Sequence, residues 1–160
     1  MNNTTIEFTE ESISKEDINW LLRRYELLPQ FRRGMIIDQA IANITLSENE
    51  YQAGIAAFER QHHITSPQAR EIWLTSMNLT LQQMEDLALR PLKIQKFKVT
   101  TWGSKLQTYF SIRKPSLNAP FDEVMRQRLL DEQFENWLQA QVYISNQPDS
   151  NTNQFPFLAA

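Results

Sequence analysis

The chain has 160 residues, 41% of them hydrophobic and 22% charged, with a net charge of −3. That is enough for one domain with a real core, and the mild negative balance disfavours a general nucleic-acid role. Cysteine is absent, which excludes disulfides, thiol catalysis and Cys-ligated zinc; only Gly34, Gly54 and Gly103 are glycines, which argues against sheet-rich folds and phosphate-cradling loops.

In chain order, residues 1–13 read as a polar, flexible leader without the basic start and apolar run of a signal peptide. No apolar stretch approaches the length of a membrane span, so a cytoplasmic protein is expected. Ser14 and Asp17 mark a first helix start, followed by Ile18, Leu21, Leu22, Tyr25 and Leu28 at helical spacing. Pro29 predicts a kink or break, and Met35, Ile36, Ile37, Ala40, Ile41 and Ile44 predict a second helix with a broad buried face. Ser47 and Glu50 form a capping box for a third helix that points Ile55 and Phe58 inward. Ser66-Pro67 opens a fourth helix presenting Ile72, Trp73 and Met77, and Thr80 with Gln83 opens a fifth.

Pro91 is expected to bend or interrupt the fifth helix before the apolar pattern resumes at Leu92, Ile94 and Phe97. Val99-Thr-Thr-Trp102 is β-friendly enough to fray it, and Gly103 precedes a further helical turn with Leu106, Tyr109 and Phe110. Residues 115–120, from Pro115 to Pro120, read as a connector. Residues 121–144 predict a long amphipathic helix carrying Val124, Met125, Leu129, Leu130, Phe134, Trp137, Leu138 and Val142. Its apolar stripe must be covered, by the earlier helices or by a second copy in a helix-exchanged homodimer. Residues 148–160, with Phe155-Pro-Phe157-Leu158, read as a mobile tail. The whole is an all-α bundle of one domain over 14–147, comprising helices over 14–114, the connector and a closing C-terminal helix.

No acidic residue lies between Asp86 and Asp122, while Arg90, Lys93, Lys96, Lys98, Lys105, Arg113 and Lys114 do. Interleaved with Phe97, Trp102, Tyr109 and Phe110, these cations suit a face for extended peptides, in which rings supply area and cations attract acidic segments. The alternative is that the rings are core and the cations face water or meet Asp122, Glu123, Asp131, Glu132 and Glu135. The candidate peptide-binding set is Tyr25, Trp73, Phe97, Trp102, Tyr109 and Phe110 with Lys98, Lys105 and Arg113. Glu59 and His62 share one helix face, but the second Glu-x-x-His that a di-iron bundle needs is missing, so no metal and no cofactor is expected. Paired carboxylates such as Asp122-Glu123 and Asp131-Glu132 read as solvated faces, and no catalytic residue is assigned.

Leu21-Leu-Arg-Arg-Tyr-Glu-Leu-Leu-Pro-Gln30, Ile36-Ile-Asp-Gln-Ala-Ile41, Met84, Leu87-Ala-Leu-Arg-Pro-Leu-Lys-Ile94, Phe97-Lys98, Trp102-Gly103 and Tyr109-Phe-Ser-Ile-Arg-Lys114 form an ordered series. It resembles the helical chaperone portion of cyanobacterial parvulin-type peptidyl-prolyl isomerases, relatives of the SurA and PrsA foldases. Phe134-Glu-Asn-Trp-Leu-Gln-Ala-Gln-Val142 resembles the helix that follows the isomerase domain and packs back. The resemblance implies a SurA N-terminal-domain-like bundle that binds unfolded or leader peptides. Where the family inserts its isomerase, this chain has Ser116-Leu-Asn-Ala-Pro120, so isomerase activity is not expected. An enzyme of a peptide-modification pathway on the same scaffold and a purely structural dimer subunit are the competing expectations.

Overall fold

A computed structural model describes residues 15–117 and 119–146; the expected leader, the Ser14 cap and the expected tail lie outside the described residues. Among the described residues the fold is all-α. The helices are α1 (Lys15–Arg24), α2 (Leu28–Ile41), α3 (Glu48–Gln61), α4 (Pro67–Met77), α5 (Leu81–Trp102), α6 (Leu106–Leu117) and α7 (Glu123–Ser145), with a 3-10 turn over Gly103–Lys105 joining α5 to α6.

The helix starts follow local chemistry. Ser47 Oγ accepts the Glu50 amide at 3.3 Å while the Glu50 carboxylate accepts the Ser47 amide at 2.7 Å. Thr80 and Gln83 repeat this reciprocal arrangement for α5, and Ser66 Oγ accepts the Ala69 amide ahead of α4. Asp122 stands just outside α7, its carboxylate accepting the Met125 amide at 2.9 Å, so it caps the helix rather than belonging to its first turn. Pro29 falls in the first turn of α2, where its missing N–H costs nothing, and the break precedes it at residues 25–27.

Among the described residues, three helix ends turn through residues with positive φ, and none is glycine: Glu26, His63 and Asn78. Each is followed by an apolar residue whose amide reaches back five positions, Leu27 to Leu22, Ile64 to Glu59 and Leu79 to Leu74. This is the Schellman closure of a helix C-terminus.

Three expected breaks do not occur. α5 runs unbroken through Pro91 and through Val99-Thr-Thr-Trp102, and α6 continues through residue 115 to Leu117. Pro91 withdraws only the amide that would meet the Leu87 carbonyl, and the packing of α5 on α2, α3 and α7 holds the helix on either side. β-propensity at Val99–Trp102 yields to the same tertiary packing.

The core forms where α7 lies against α2, α5 and α6 of its own chain. Met125, Leu129, Leu130, Phe134 and Leu138 interlock with Ile36, Trp102, Leu106 and Phe110. Several residues expected on inward stripes face solvent instead, among them Val124, 78% exposed, and Ile72, 70% exposed. Val124 sits at the first turn of α7, ahead of the buried stripe, and α4 has no buried residue at all. α4 is held by Trp73, set edge-on to Phe58 at 5.5 Å, and by Arg70, whose Nε donates to Glu59 at 2.7 Å.

Gly54 marks the closest approach of α3 to α5, since a Cβ there would stand 2.7 Å from Leu92 Cδ1 and 2.9 Å from Leu89 Cδ2. Gly34, inside α2, has nothing within 4 Å of its Cβ position. Gly54→Leu is expected to destabilise the fold by about 1–3 kcal/mol through overpacking. Gly34→Ala is expected to stabilise it by about 0.5–1 kcal/mol through lower backbone entropy in the unfolded chain, both read from urea midpoints. Hydrogen exchange should strip protection from α4 well before α5 and α7, and Arg70→Ala should hasten exchange in α4 while leaving α7 unchanged.

Candidate functional site

Of the two readings open for the acid-free segment between Asp86 and Asp122, the described rings follow the one that makes them core rather than an exposed aromatic–cationic face. Trp102 and Phe110 are buried, and Phe97 and Tyr109 pack against the same cluster. Phe97, Trp102, Phe134 and Trp137 contact one another with ring centroids 5.3–6.4 Å apart, in mostly tilted or edge-on geometry. A peptide could reach Trp102 or Phe110 only by opening the core. The physical reason is α7, whose own apolar stripe takes these rings as its partners.

Four cations of the segment are paired across helices, while Lys93 has no ion-pair partner among the described residues. Lys98 Nζ lies 2.8 Å from Asp131 and 4.7 Å from the Phe134 ring centroid, its stem largely covered. Arg113 pairs with Glu132, Lys96 with Glu50 at 2.7 Å, and Arg90 with Asp38 at 2.8 Å. Arg33 completes the set from α2 with a two-pronged bond to Glu135, both distances 2.9 Å. Of the acids expected to meet the basic run, Asp131 and Glu132 do so, while Glu135 turns to Arg33, Glu123 to Arg126 and Asp122 to its cap. Lys105 is exposed and has no ion-pair partner among the described residues.

Two of the nine expected peptide-binding side chains remain available as rings. Trp73 is half-buried against Phe58 and His62 at the α3–α4 junction, and Tyr25 is 61% exposed at the end of α1. The structure does not bring these two into one patch with Lys98 or Arg113, which belong to the α5–α7 and α6–α7 seams. Tyr25 instead has other apolar neighbours in sequence. Ile18, Trp20 (55% exposed), Leu27 and Phe31 (39% exposed) are all open to solvent on α1 and the start of α2. The signal was present as Trp20 lying beside the α1 stripe rather than on it.

α1 packs chiefly on α2, and no residue from 16 to 35 is fully buried. The Arg24 guanidinium lies 4.9 Å from the Trp20 ring centroid. Asn19 Oδ1 is buried without a hydrogen-bond donor among the described residues, so the seat of α1 is imperfectly satisfied.

A separate open cleft of about 270 Å³ runs between α3 and α5, floored by Ala53, Gly54, Ala57, Ala88 and Leu92 and walled by Leu87 and Pro91. Its small side chains follow from the close α3–α5 approach at Gly54. Glu59 of the expected Glu-x-x-His pair bonds to Arg70, and His62 lies against the Phe58 ring at 4.3 Å. Among the described residues no three His, Asp or Glu side chains gather as metal ligands, and no helix is long and apolar enough to cross a membrane.

One carboxylate in this network is strongly tuned. Lys96 donates to Glu50, as does the Ser47 amide, and together they hold the Glu50 carboxyl at about 2, down from its usual 4.5. The Arg33 guanidinium likewise holds Glu135 below the ordinary carboxylate range. Because the folded value is depressed, the stabilisation by Glu50 is complete above pH 4.5 and is lost as pH falls through about 2. A carbon-detected NMR titration should place the Glu50 midpoint near 2, Lys96→Met should raise it, and Glu50→Gln should cost stability at neutral pH but not in strong acid. A midpoint near 4.5 in the unaltered protein would refute the arrangement.

Comparison with protein-family models, with curated proteins and with solved structures finds no match to this chain.

Proposed function

We propose that this protein binds polypeptide segments as a chaperone-like or adaptor module without isomerase chemistry, as its resemblance to SurA-type foldases implies, and that it does so on the α1–α2 face. The observation carrying this reading is the exposure of five large apolar side chains, Ile18, Trp20, Tyr25, Leu27 and Phe31, within fourteen residues of chain. Large apolar side chains left open to solvent and concentrated in one stretch of chain point to an interaction site. Aromatic rings suit the task because they offer large area with few rotatable bonds.

Magnitudes set the style of binding. Each ring offers about 200 Å², so covering what Trp20, Tyr25 and Phe31 leave open removes about 300 Å² from water, worth about 7 kcal/mol before costs. Association costs of roughly 4–15 kcal/mol consume most of that gain. Apolar packing on this face therefore supports weak, broadly specific capture, the behaviour suited to a module that holds unfolded or leader peptides and lets them go.

A photo-crosslinking residue at position 25 should capture an unfolded client or leader peptide, whereas the same residue at exposed Val99 on α5 should not. The double variant Trp20→Ser, Tyr25→Ser should lower capture roughly tenfold, the effect of about 1.4 kcal/mol, with helical circular dichroism unchanged. Equal crosslinking at positions 25 and 99 would defeat the proposal.

A further inference from the structure

We infer that the α1–α2 face selects peptide segments in which carboxylates flank apolar or aromatic side chains; this rests on the polypeptide-binding reading above. Most of the molecule's basic side chains between helices are neutralised. Arg90, Lys96, Lys98 and Arg113 each meet a carboxylate of another helix, and Arg33 is forked onto Glu135. Arg23, Arg24 and Arg32, by contrast, have no carboxylate partner among the described residues. Arg24 lies over Trp20, and Arg32 donates at 2.6 Å to the amide oxygen of Asn146, a neutral acceptor that leaves its charge uncompensated. These three arginines lie within ten residues and are interleaved in sequence with the exposed Tyr25, Leu27 and Phe31.

Guanidinium groups are suited to this role. They bind carboxylates through two parallel N–H donors and stack on rings, so a segment alternating acid with aromatic can satisfy both kinds of group at once. Glu26, turned outward at positive φ, is the one acid between Ile18 and Arg33, and it sets a local repulsion that fixes where the bound carboxylates can lie. An anionic lipid surface is the less favoured occupant. Glu16 and Asp17 stand in the first turn of α1, and the exposed apolar side chains are divided between two helices separated by the Glu26 corner. A surface helix lying in lipid needs one continuous apolar stripe and a basic polar face.

The test uses the full chain and two labelled peptides with the same Phe- and Leu-bearing centre, one flanked by three glutamates and the other by three glutamines, followed by fluorescence anisotropy. Exposed ion pairs are individually weak, so three of them should tighten binding of the acidic peptide roughly tenfold at low ionic strength, and salt should erase most of the difference. Arg23→Gln with Arg24→Gln should narrow the gap, while Arg23→Lys with Arg24→Lys should keep most of it; circular dichroism and melting establish that both variants fold. Equal affinity for the two peptides at low salt would overturn acid selection and leave peptide binding standing. Binding of neither would overturn both. Retention of the protein on phosphatidylglycerol vesicles, with no peptide binding, would assign the face to a lipid surface and likewise overturn both.

Discussion

Everything in this molecule depends on how the apolar stripe of α7 is covered. Met125, Leu129, Leu130, Phe134 and Leu138 occupy one side of a 23-residue helix, which could not persist alone in water with that side bare. The chain covers it from within, with Ile36 of α2, Trp102 at the end of α5 and Leu106 and Phe110 of α6. The acidic side chains Asp131, Glu132 and Glu135 then fall opposite Lys98, Arg113 and Arg33, which fixes the register of α7. Those pairs are half exposed and individually modest. They set Lys98 and Arg113 of the basic run, and Arg33 of α2, against carboxylates of α7.

The elements written in local chemistry are legible in the sequence. Ser47, Ser66 and Thr80 announce their helices because a cap is satisfied by residues three apart. Pro29 and the α7 stripe are read for similarly local reasons. Pro91 and Pro115 mislead because losing one amide is a small cost beside tertiary packing along a whole helix. The side to which an aromatic faces is less legible still. Phe97, Trp102, Tyr109 and Phe110 sit among cations, a pattern equally consistent with a sticky surface and with a core whose rim is basic. Only the position of α7 decides between them, and that is a long-range fact, with 33 positions separating Lys98 from Asp131.

At the α1–α2 face the difficulty runs the other way. α1 looks in sequence like an ordinary amphipathic helix whose stripe, Ile18, Leu21, Leu22 and Tyr25, belongs to a core. In the fold it meets chiefly α2, and much of its apolar surface stays open. Exposure here results from what is missing around α1, which no local pattern records. The proposed acid selection has the same origin. Arginines near the N-terminus look ordinary until Arg90, Lys96, Lys98 and Arg113 are seen to be paired across helices, after which the run of Arg23, Arg24 and Arg32 stands out.

The corners at Glu26, His63 and Asn78 bear on how the chain reverses direction. They bound α1 and α4, neither of which has a fully buried residue among the described side chains, whereas the joint from α5 through Gly103 to α6 has no left-handed residue. A side chain bearing a Cβ at such a corner holds a conformation about 1 kcal/mol above its relaxed one. The backbone bonds from Leu27, Ile64 and Leu79 back to the preceding helix offset that cost on the spot. Each of these reversals is thus closed by its own main chain and asks little of the α5–α6–α7 frame.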